Sequence, residues 1–289
     1  MKIHLLDGTY ELFRHYFGAP SRTTPDGQEI GAVVGILRSL LALLAGAEVT
    51  HLACAFDTVI ESFRNELYEG YKTGEGIDPD LLAQFPLAER AVEALGITVW
   101  RMVEFEADDA LATAAADFRG ALGLEQILIA SPDKDLAQCV DGNRVVTWDR
   151  RRDTLLDAAG VRAKFGVDPA SIPDWLALVG DSADGFPGIP GWGAKSAAAV
   201  LSRFGHLEAI PSATDLWGLP SGRAARLGEE LRQRWDEVLL YRTLATLRTD
   251  VPLGSSLSDL EWHGAARSLK DLSLEWDLAD ILARVPRWR

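Results

Sequence analysis

The sequence predicts an α/β fold built on a parallel sheet, and two features of the chain lead to that prediction. Short apolar runs, typical of buried strands, alternate with longer stretches in which apolar residues recur at helical spacing. Several of these runs lead into aspartates, and open parallel sheets form their sites at the carboxyl ends of strands. The chain has 289 residues, 47% of them apolar, which suffices for one large domain or a domain with an appendage.

The first strand and the first long helix open the chain. Residues 3–6 form an apolar run that ends at Asp7, and residues 30–44 show helical spacing. The strand pattern returns at 51–56, 97–100 and 126–130. Because strands that alternate with helices pair in parallel, we expect these four strands to form a parallel sheet.

A long insertion, at about 64–90, separates the second and third strands and exceeds a simple connection. The composition changes near residue 165, and from Trp175 onward the pattern indicates helices and turns without a strand. We therefore predict a core over 1–165 and a helical subdomain over 166–289. Within the latter we expect a loop at 254–258 and a last helix at 272–284.

Nine acidic residues form the candidate site. Three of them, Glu106, Asp108 and Asp109, begin a predicted helix, where acids are also common simply because they cap the helix and complement its dipole. The other six follow predicted strands or lie further on: Asp7, Asp57, Asp133, Asp135, Asp181 and Asp184. Since the carboxyl ends of parallel strands share one edge, the first four of these should converge. Nine clustered carboxylates cannot all be ionised together without cations.

Oxygen ligands favour the hard cations Mg²⁺ or Mn²⁺ over zinc, which prefers nitrogen and sulfur. The five histidines are scattered along the chain and are predicted to be surface or packing residues: His4, His15, His51, His206 and His263. Two carboxylate-bound metal ions suit the hydrolysis of a phosphodiester. The acidic residues therefore predict a phosphoryl-transfer hydrolase with two divalent ions.

The glycine-rich stretch 188–196 resembles a phosphate loop, but Ala194 between Gly193 and Lys195 breaks the nucleotide-binding spacing, so an ATPase is not expected. Backbone amides at the start of the following helix could still bind a DNA phosphate, with Lys195 adding charge. The alternative is a tight helix–helix turn that needs glycine for its shape. The acidic site favours DNA.

Three residues of the insertion are candidates for DNA contacts. Lys72 could neutralise the phosphate that is cut, and Tyr71 could stack on an unpaired base. The alternative for both, and for Arg64, is a solvated loop with a packing tyrosine. Residues 150–152, three arginines, either grip the DNA backbone or form a solvated turn. Residues 180–184 lack the spacing of a nucleophile elbow, which excludes a serine hydrolase.

The net charge of −14 is unusual for a nucleic-acid binder, but nine of the 43 acids belong to the candidate site, so basic residues can still act locally. Cys54 and Cys139 show no metal-type spacing, and only two cysteines in a chain of this length indicate a reducing compartment instead of a disulfide framework. The start of the sequence does not read as a signal peptide, and no apolar run has membrane-spanning length. These features predict a cytoplasmic protein without a membrane partner.

In order along nearly the whole chain, these motifs resemble the 5′ nuclease family, which comprises flap endonucleases and the N-terminal 5′-3′ exonuclease domain of bacterial DNA polymerase I. The resemblance is carried by Leu6-Asp7-Gly8 with Phe13-Arg14, Ala55-Phe56-Asp57, Ser62-Phe63-Arg64, Gly70-Tyr71-Lys72, Glu106 to Asp109, Ser131 to Leu136, Gly180 to Gly188, Gly191 to Lys195 and Leu244 to Pro252.

The resemblance implies a PIN-like nuclease core with a helical arch insertion, followed by a helical subdomain of helix-hairpin-helix or H2TH type. It assigns a first metal set of Asp7, Asp57, Glu106 and Asp108, and a second of Asp133, Asp135, Asp181 and Asp184 with Asp109 beside it. Lys72, Arg64 and Asp108 become the catalytic residues. DNA contacts are assigned to Arg14, Tyr71, Lys72, Gly191, Gly193 and Lys195, with K⁺ at the hairpin motif.

The implied activity is that of a standalone, Mg²⁺-dependent, structure-selective 5′-3′ exonuclease and flap endonuclease, acting on DNA with 5′ flaps, ends or nicks by a two-metal-ion mechanism. Two alternatives remain open at this point, a ribonuclease on a related acidic core and a branched-DNA binding module that does not cut. The chain also departs from its relatives. Glu75 lies where they often carry a basic residue, which weakens the electrostatic attraction of a strand, and Gly185 replaces their usual Asn.

Overall fold

The structure is a computed structural model that describes residues 1–46 and 49–289. The strands are β1 (Lys2–Asp7), β2 (His51–Asp57), β3 (Thr98–Met102), β4 (Gln126–Ala130), β5 (Val145–Asp149) and β6 (Thr154–Leu156). The helices are α1 (Gly8–Gly18), α2 (Gly31–Leu44), α3 (Phe63–Leu67), α4 (Pro79–Leu82), α5 (Phe85–Ala94), α6 (Ala107–Phe118), α7 (Ala158–Phe165), α8 (Ile172–Val179), α9 (Ala194–Phe204), α10 (Ser221–Gln233), α11 (Trp235–Ala245), α12 (Ser268–Glu275) and α13 (Ala279–Leu282). Short 3₁₀ helices lie between several of them.

The chain folds into two compact units that interleave along the sequence. The first unit comprises Met1–Ile60, Gly74–Ser131 and Thr249–Arg289, and the second comprises Glu61–Thr73 and Pro132–Arg248. The last segment belongs with the first unit because its backbone and side chains bond there. For example, the Trp262 indole donates to the Leu95 carbonyl at 2.8 Å. The predicted boundary at residue 165 divides the chain into two continuous segments, whereas each compact unit contains segments from both sides of that boundary or from separate parts of the chain.

The first unit is built on four parallel strands in the order β3-β2-β1-β4. Leu5 of β1 aligns with Ala53 of β2 on one side and with Ile129 of β4 on the other. All three residues are completely buried, as expected of parallel strands covered on both faces. The predicted α/β fold with a parallel sheet is confirmed, and each predicted strand lies within two residues of its observed bounds.

Helix α5 shows that the insertion predicted at about 64–90 is shorter than expected. Leu87, Ala91 and Val92 of this helix are buried in the first unit, where α5 packs against α2 and β3. The buried amide of Gln84, just before α5, accepts from the backbone N–H groups of Ala32 and Val33. These donors lie in the first turn of α2, where the helix itself supplies no acceptor. Residues 84–90 are therefore part of the core.

The second unit is helical apart from the antiparallel hairpin β5–β6, which the sequence analysis did not predict. Its apolar core is formed largely by α8, α9, α10 and α11 and includes Phe186 and Trp217, both almost completely buried. Helices α8 and α9 pack against each other as the two arms of a helical hairpin. As predicted, residues 175–289, all of which the structure describes, contain helices and turns without a strand.

The last helix predicted at 272–284 is wrong, because two short helices occupy this region. Asp277 has a positive φ of 54°, which an α-helix cannot contain. The break is held from outside by two arginines of the first unit. Arg22 donates to the Asp277 carbonyl and pairs with Asp280 at 3.1 Å, and Arg38 pairs with Asp280 at 2.8 Å.

The loop predicted at 254–258 is shorter than expected, since a 3₁₀ helix begins at Leu257. In the part of the chain that the structure describes, no helix combines the length and the apolar character needed to cross a membrane.

Candidate metal centre

Two aspartates of the first unit end neighbouring strands. Asp7 is the last residue of β1 and caps α1, its Oδ1 accepting from the Tyr10 N–H at 2.8 Å and its Oδ2 from the Ser131 hydroxyl at 2.8 Å. Asp57 is the last residue of β2, and its Oδ1 accepts from the Ala107 N–H at 2.7 Å. Because β1 and β2 are adjacent and parallel, both carboxylates lie at the same edge of the sheet.

Two of the three acids at the start of α6 cap the helix. Glu106 and Asp109 form a reciprocal capping box, in which the Asp109 carboxylate accepts from the Glu106 N–H at 3.0 Å. Both are buried, whereas Asp108 is partly exposed. Helix α6 packs across β1, β2 and β3, which brings its first turn to the strand ends. The two explanations offered for these acids, helix capping and a shared site, are therefore compatible.

The second unit contains a compact trio of carboxylates, from Asp135, Asp181 and Asp184. One oxygen from each lies within 4.8 Å of the others, and all three residues are buried. Oxygens around an octahedral Mg²⁺ with bonds of about 2.1 Å lie roughly 3–4.2 Å apart, so a small contraction would let the trio share one ion. The donor set contains only oxygen, which suits Mg²⁺ or Mn²⁺.

A tight loop between α8 and α9 positions two members of the trio. Gly180 and Gly188, both at positive φ, let the two ends of the loop approach so closely that a Cβ on either would meet backbone atoms of the other end. Between them, Asp181 and Phe186 exchange two backbone hydrogen bonds, of 2.8 and 3.1 Å. Phe186 anchors the loop by stacking on Tyr241 at 5.6 Å in the core of the second unit. Glycine is therefore required at both positions for the shape of the loop.

The third member, Asp135, carries the clearest sign of an ion site. It begins a 3₁₀ helix, and its Oδ1 atom is buried without a hydrogen-bond partner among the described residues. Burial raises the pKa of its carboxyl well above the ordinary value, and the negative charges of Asp133, Asp184 and Asp181 add to that effect. A buried oxygen acceptor without a donor is costly, and a bound cation would satisfy it.

Two lysines of the second unit contact the trio. The Lys134 ammonium lies 2.6 Å from Oδ2 of Asp181, and the Lys72 ammonium lies 3.0 Å from Oδ1 of Asp184. Lys72 is also tied to the loop through its backbone, since its N–H donates to the Asp184 carbonyl at 3.0 Å. The sequence analysis identified Lys72 but missed Lys134. The available signal was its position between two aspartates.

Three predicted site residues have surroundings that differ from the prediction. Arg64 is 1% exposed and donates to the carbonyls of Leu244 and Thr246, so its guanidinium is committed to the protein interior. Tyr71 is buried in the core of the second unit, which leaves its ring no face for a nucleotide base. Arg14 turns inward and bonds Glu11 at 2.5 Å. These contacts argue against direct DNA contacts by the three side chains.

The glycine-rich stretch leads into the start of α9. Gly193 is the residue before the first turn of α9, and Lys195 within that turn is exposed. Gly191 has a positive φ of 81° and is exposed, so the chain turns there into the helix. The backbone amides of such a helix start attract anions.

The arginines at 150–152 form the turn of the β5–β6 hairpin. Of the two predicted alternatives, a DNA contact and a turn, the structure shows the turn. Arg152 pairs with Asp149 at 3.4 Å, and Arg150 lies over the Trp148 ring at 5.7 Å. Glu75 is exposed.

Gly185 has a backbone conformation and a close neighbour that disfavour a side chain, and this supports a prediction. Its φ is 88°, and a Cβ there would overlap the Gly70 carbonyl oxygen. We expect Gly185→Asn to lower the free energy of unfolding by at least about 2 kcal/mol, because a backbone atom would have to move. Chemical denaturation measures this. Gly142→Asn is the control, since Gly142 also has a positive φ but open space around it, and an equal loss in both variants would contradict the steric explanation.

The fold and the acidic groups together define a class of protein. A parallel sheet with carboxylates at its strand ends, together with a helical unit that carries a buried acidic trio, is typical of metal-dependent enzymes that act on phosphate esters.

Comparison with known proteins identifies the family within this class. Residues 2–166 match the model of the 5′-3′ exonuclease N-terminal resolvase-like domain, and residues 167–268 match that of the 5′-3′ exonuclease C-terminal SAM fold. The chain belongs to the 5′-3′ exonuclease family, which confirms the resemblance found in the sequence.

Individual relatives agree with this assignment. A 5′-3′ exonuclease of Aquifex aeolicus is 34% identical over 286 residues, which cover 99% of this chain and 95% of that protein. DNA polymerase I of Bacillus caldotenax is 33% identical over 270 residues, 92% of this chain, but the chain spans only 30% of the polymerase. A flap endonuclease of bacteriophage T5, in a complex with DNA and metal ions, shares the fold with a TM-score of 0.65 at 18% identity, covering 99% of this chain and all of that one.

Proposed function

We propose that this chain is a divalent-metal-dependent nuclease that hydrolyses DNA phosphodiesters near 5′ ends, as a 5′-3′ exonuclease and flap endonuclease. The observation that carries the proposal is the buried trio Asp135, Asp181 and Asp184, with its unpartnered oxygen, in a member of the 5′-3′ exonuclease family. The Aquifex relative of almost equal length is named a 5′-3′ exonuclease, and the T5 neighbour was seen with DNA and metal ions.

The carboxylates of each unit are proposed as one metal set. The first set is Asp7, Asp57, Glu106 and Asp108, and the second is Asp133, Asp135, Asp181 and Asp184, with Asp109 assigned next to the second on the family pattern. Mg²⁺ is the proposed ion, with Mn²⁺ as a substitute, because all donors are oxygen. Bound divalent ions would supply the positive charge that polarises the phosphodiester and activates the attacking water.

The remaining residues bind and orient the substrate. The Lys72 ammonium, one-third exposed, is proposed to neutralise the phosphate that is cut. Gly191, Gly193 and Lys195 are proposed to hold the duplex backbone through amides and charge, and the same turn is proposed as a K⁺ site. Arg64 acts through Lys72 instead of touching DNA. It anchors α3, and Asn65 of that helix donates to the Lys72 carbonyl at 2.9 Å.

The preferred substrate is proposed to be DNA with a 5′ flap, end or nick. The exposed Glu75 would repel a threaded single strand, so we expect a weaker preference for long flaps than relatives with a basic residue there show. Cys54 and Cys139, which form no disulfide among the described residues, are consistent with a reducing compartment, and we propose the cytoplasm.

The proposal predicts that Asp108→Ala abolishes cleavage. We expect a loss of roughly 10³-fold or more, because a carboxylate that binds a catalytic ion contributes several kcal/mol to the transition state. A labelled 5′ flap duplex, a blunt duplex and a single strand would be incubated with and without Mg²⁺. Asp117→Ala is the matched control, since Asp117 is an exposed acid of the same helix.

Cutting at the flap or 5′ end that requires both Mg²⁺ and Asp108 supports the nuclease. Retention of more than a few per cent of the activity by Asp108→Ala would contradict the assignment of that ligand. Tight flap binding without cutting, in both Mg²⁺ and Mn²⁺, would contradict the nuclease itself and favour a binding module. Faster cutting of RNA than of DNA would contradict the choice of substrate.

A further inference from the structure

The acidic trio is partly neutralised by cations from the protein itself. Lys134 contacts Asp181 and Lys72 contacts Asp184, so two of the three carboxylates form an ion pair with a lysine. The third, Asp135, keeps the unpartnered Oδ1 atom. The two ammonium groups thus contact carboxylate oxygens that a divalent ion shared by the trio would need as ligands.

The contact between Lys134 and Asp181 uses the oxygen that an ion would need. Oδ1 of Asp181 accepts from the Ala183 N–H at 3.0 Å, a bond that shapes the loop between α8 and α9. Oδ2 is therefore the oxygen left for an ion, and Lys134 holds it at 2.6 Å. A divalent cation and an ammonium group on the same oxygen repel each other, so both cannot be well accommodated at once.

Lys134 has a route by which to leave. Its side chain is 34% exposed, whereas that of Asp181 is 3% exposed, so the ammonium approaches the trio from the solvent side. The Lys134 ammonium can therefore exchange with another cation without moving the buried carboxylate.

We propose that Lys134 is an exchangeable internal counter-ion of the trio, which holds Asp181 in the metal-free protein and is displaced when a divalent cation binds. The inference rests on the metal site of the proposed function and adds a positioning role for a residue outside the ligand set. Lys134 stabilises the metal-free state and lowers the affinity for the ion, because displacing the lysine opposes binding.

The test compares Lys134→Met with wild type, with Lys164→Met as the matched control. Lys164 is an exposed residue of α7 in the same unit, and its ammonium lies over the Phe165 ring at 4.9 Å. Mn²⁺ binding is measured by calorimetry, and the melting temperature is measured in EDTA and in saturating Mn²⁺. Asp135→Asn identifies which binding event belongs to the trio, and Lys134→Gln is a second variant that removes the charge but keeps a donor.

We expect Lys134→Met to bind Mn²⁺ about tenfold more tightly at the trio, the size of coupling common between linked sites. Its melting temperature should fall in EDTA and equal or exceed that of wild type in saturating Mn²⁺, since only the metal-free state loses a contact. Lys164→Met should match wild type throughout.

An equal fall of the melting temperature in EDTA and in Mn²⁺ would overturn the proposal, because the ion pair would then persist beside the metal. An unchanged Mn²⁺ affinity in both Lys134 variants would overturn it as well. If either of these two results is found while wild type still binds Mn²⁺ and cuts DNA, the proposed function stands and this inference alone fails. If wild type binds no Mn²⁺, both fail.

Discussion

Asp135→Asn is expected to abolish Mg²⁺-dependent cleavage while raising the melting temperature of the metal-free protein. The two effects have opposite signs because the Asp135 carboxylate is proposed to bind the metal ion needed for cleavage and to destabilise the fold when no ion is bound. Its Oδ1 atom is buried without a partner, close to Asp181 and Asp184. An amide of the same shape removes the charge and can donate to these carboxylates. Loss of a metal ligand should reduce cleavage roughly 10³-fold or more.

The pH dependence provides a second measurement of the same effect. Because the pKa of Asp135 is raised in the folded protein, its protonated form stabilises the fold, fully at low pH. That stabilisation is lost as the pH rises through the raised folded-state pKa. The metal-free wild type should therefore melt at a lower temperature in neutral buffer than in mildly acidic buffer. Asp135→Asn should lack this part of the pH dependence, and Mg²⁺ should remove it from wild type.

Calorimetric melting in EDTA across a pH series decides the outcome. For a chain of this size each kcal/mol of stabilisation raises the melting temperature by about 2–4 °C, which is readily measured. Asp141→Asn is the matched control, because Asp141 is exposed and lies in the same unit. A metal-free Asp135→Asn protein that melts below wild type at neutral pH would show that the carboxylate is stabilised by contacts other than an ion.

The strands, and the positions of the aspartates that end two of them, were predictable because their causes are local. A parallel strand buried on both faces is an uninterrupted apolar run, and Asp7 and Asp57 end two such runs. The hairpin β5–β6 escaped prediction because its second strand has only three residues, two of them exposed. The break at Asp277 depends on Arg22, more than 250 residues earlier, and no local pattern indicates it.

The sequence shows which charged residues are present but does not show which of them pair with each other. Asp181 was identified as a candidate ligand and Lys134 was not, because only the folded chain brings the two to 2.6 Å. A charged residue in a polar insertion, such as Arg64, is normally solvated, and sequence alone gives no reason to expect otherwise. Its acceptors lie 180 and 182 residues away in the chain. Pairing over such distances follows from tertiary structure and leaves no spacing to detect.

Arg64→Ala is expected to lower the free energy of unfolding by about 3–5 kcal/mol, the usual cost of removing one partner from a buried, charged hydrogen-bond network. Arg64 donates to the carbonyls of Leu244 and Thr246, at 2.8 and 3.2 Å, where α11 ends. The last carbonyls of a helix have no acceptor role within it, and a positive charge there also complements the helix dipole. Arg64→Ala would remove the donor to the buried Leu244 carbonyl and the second, part-buried bond to the Thr246 carbonyl.

Urea denaturation of Arg64→Ala, Arg64→Lys and wild type measures this, with cleavage followed in parallel. Lysine keeps the charge but cannot span both carbonyls, so Arg64→Lys should lie between the other two. Arg232→Ala is the control, because Arg232 is 62% exposed and its pair with Glu229 should contribute at most about 1 kcal/mol. In the Arg64 variants, we expect cleavage to decrease only because the fold is less stable and Lys72 is less well positioned. If Arg64→Ala unfolds like wild type but no longer cuts DNA, the guanidinium acts on the phosphate directly, and its burial in this structure must be reversed when substrate binds.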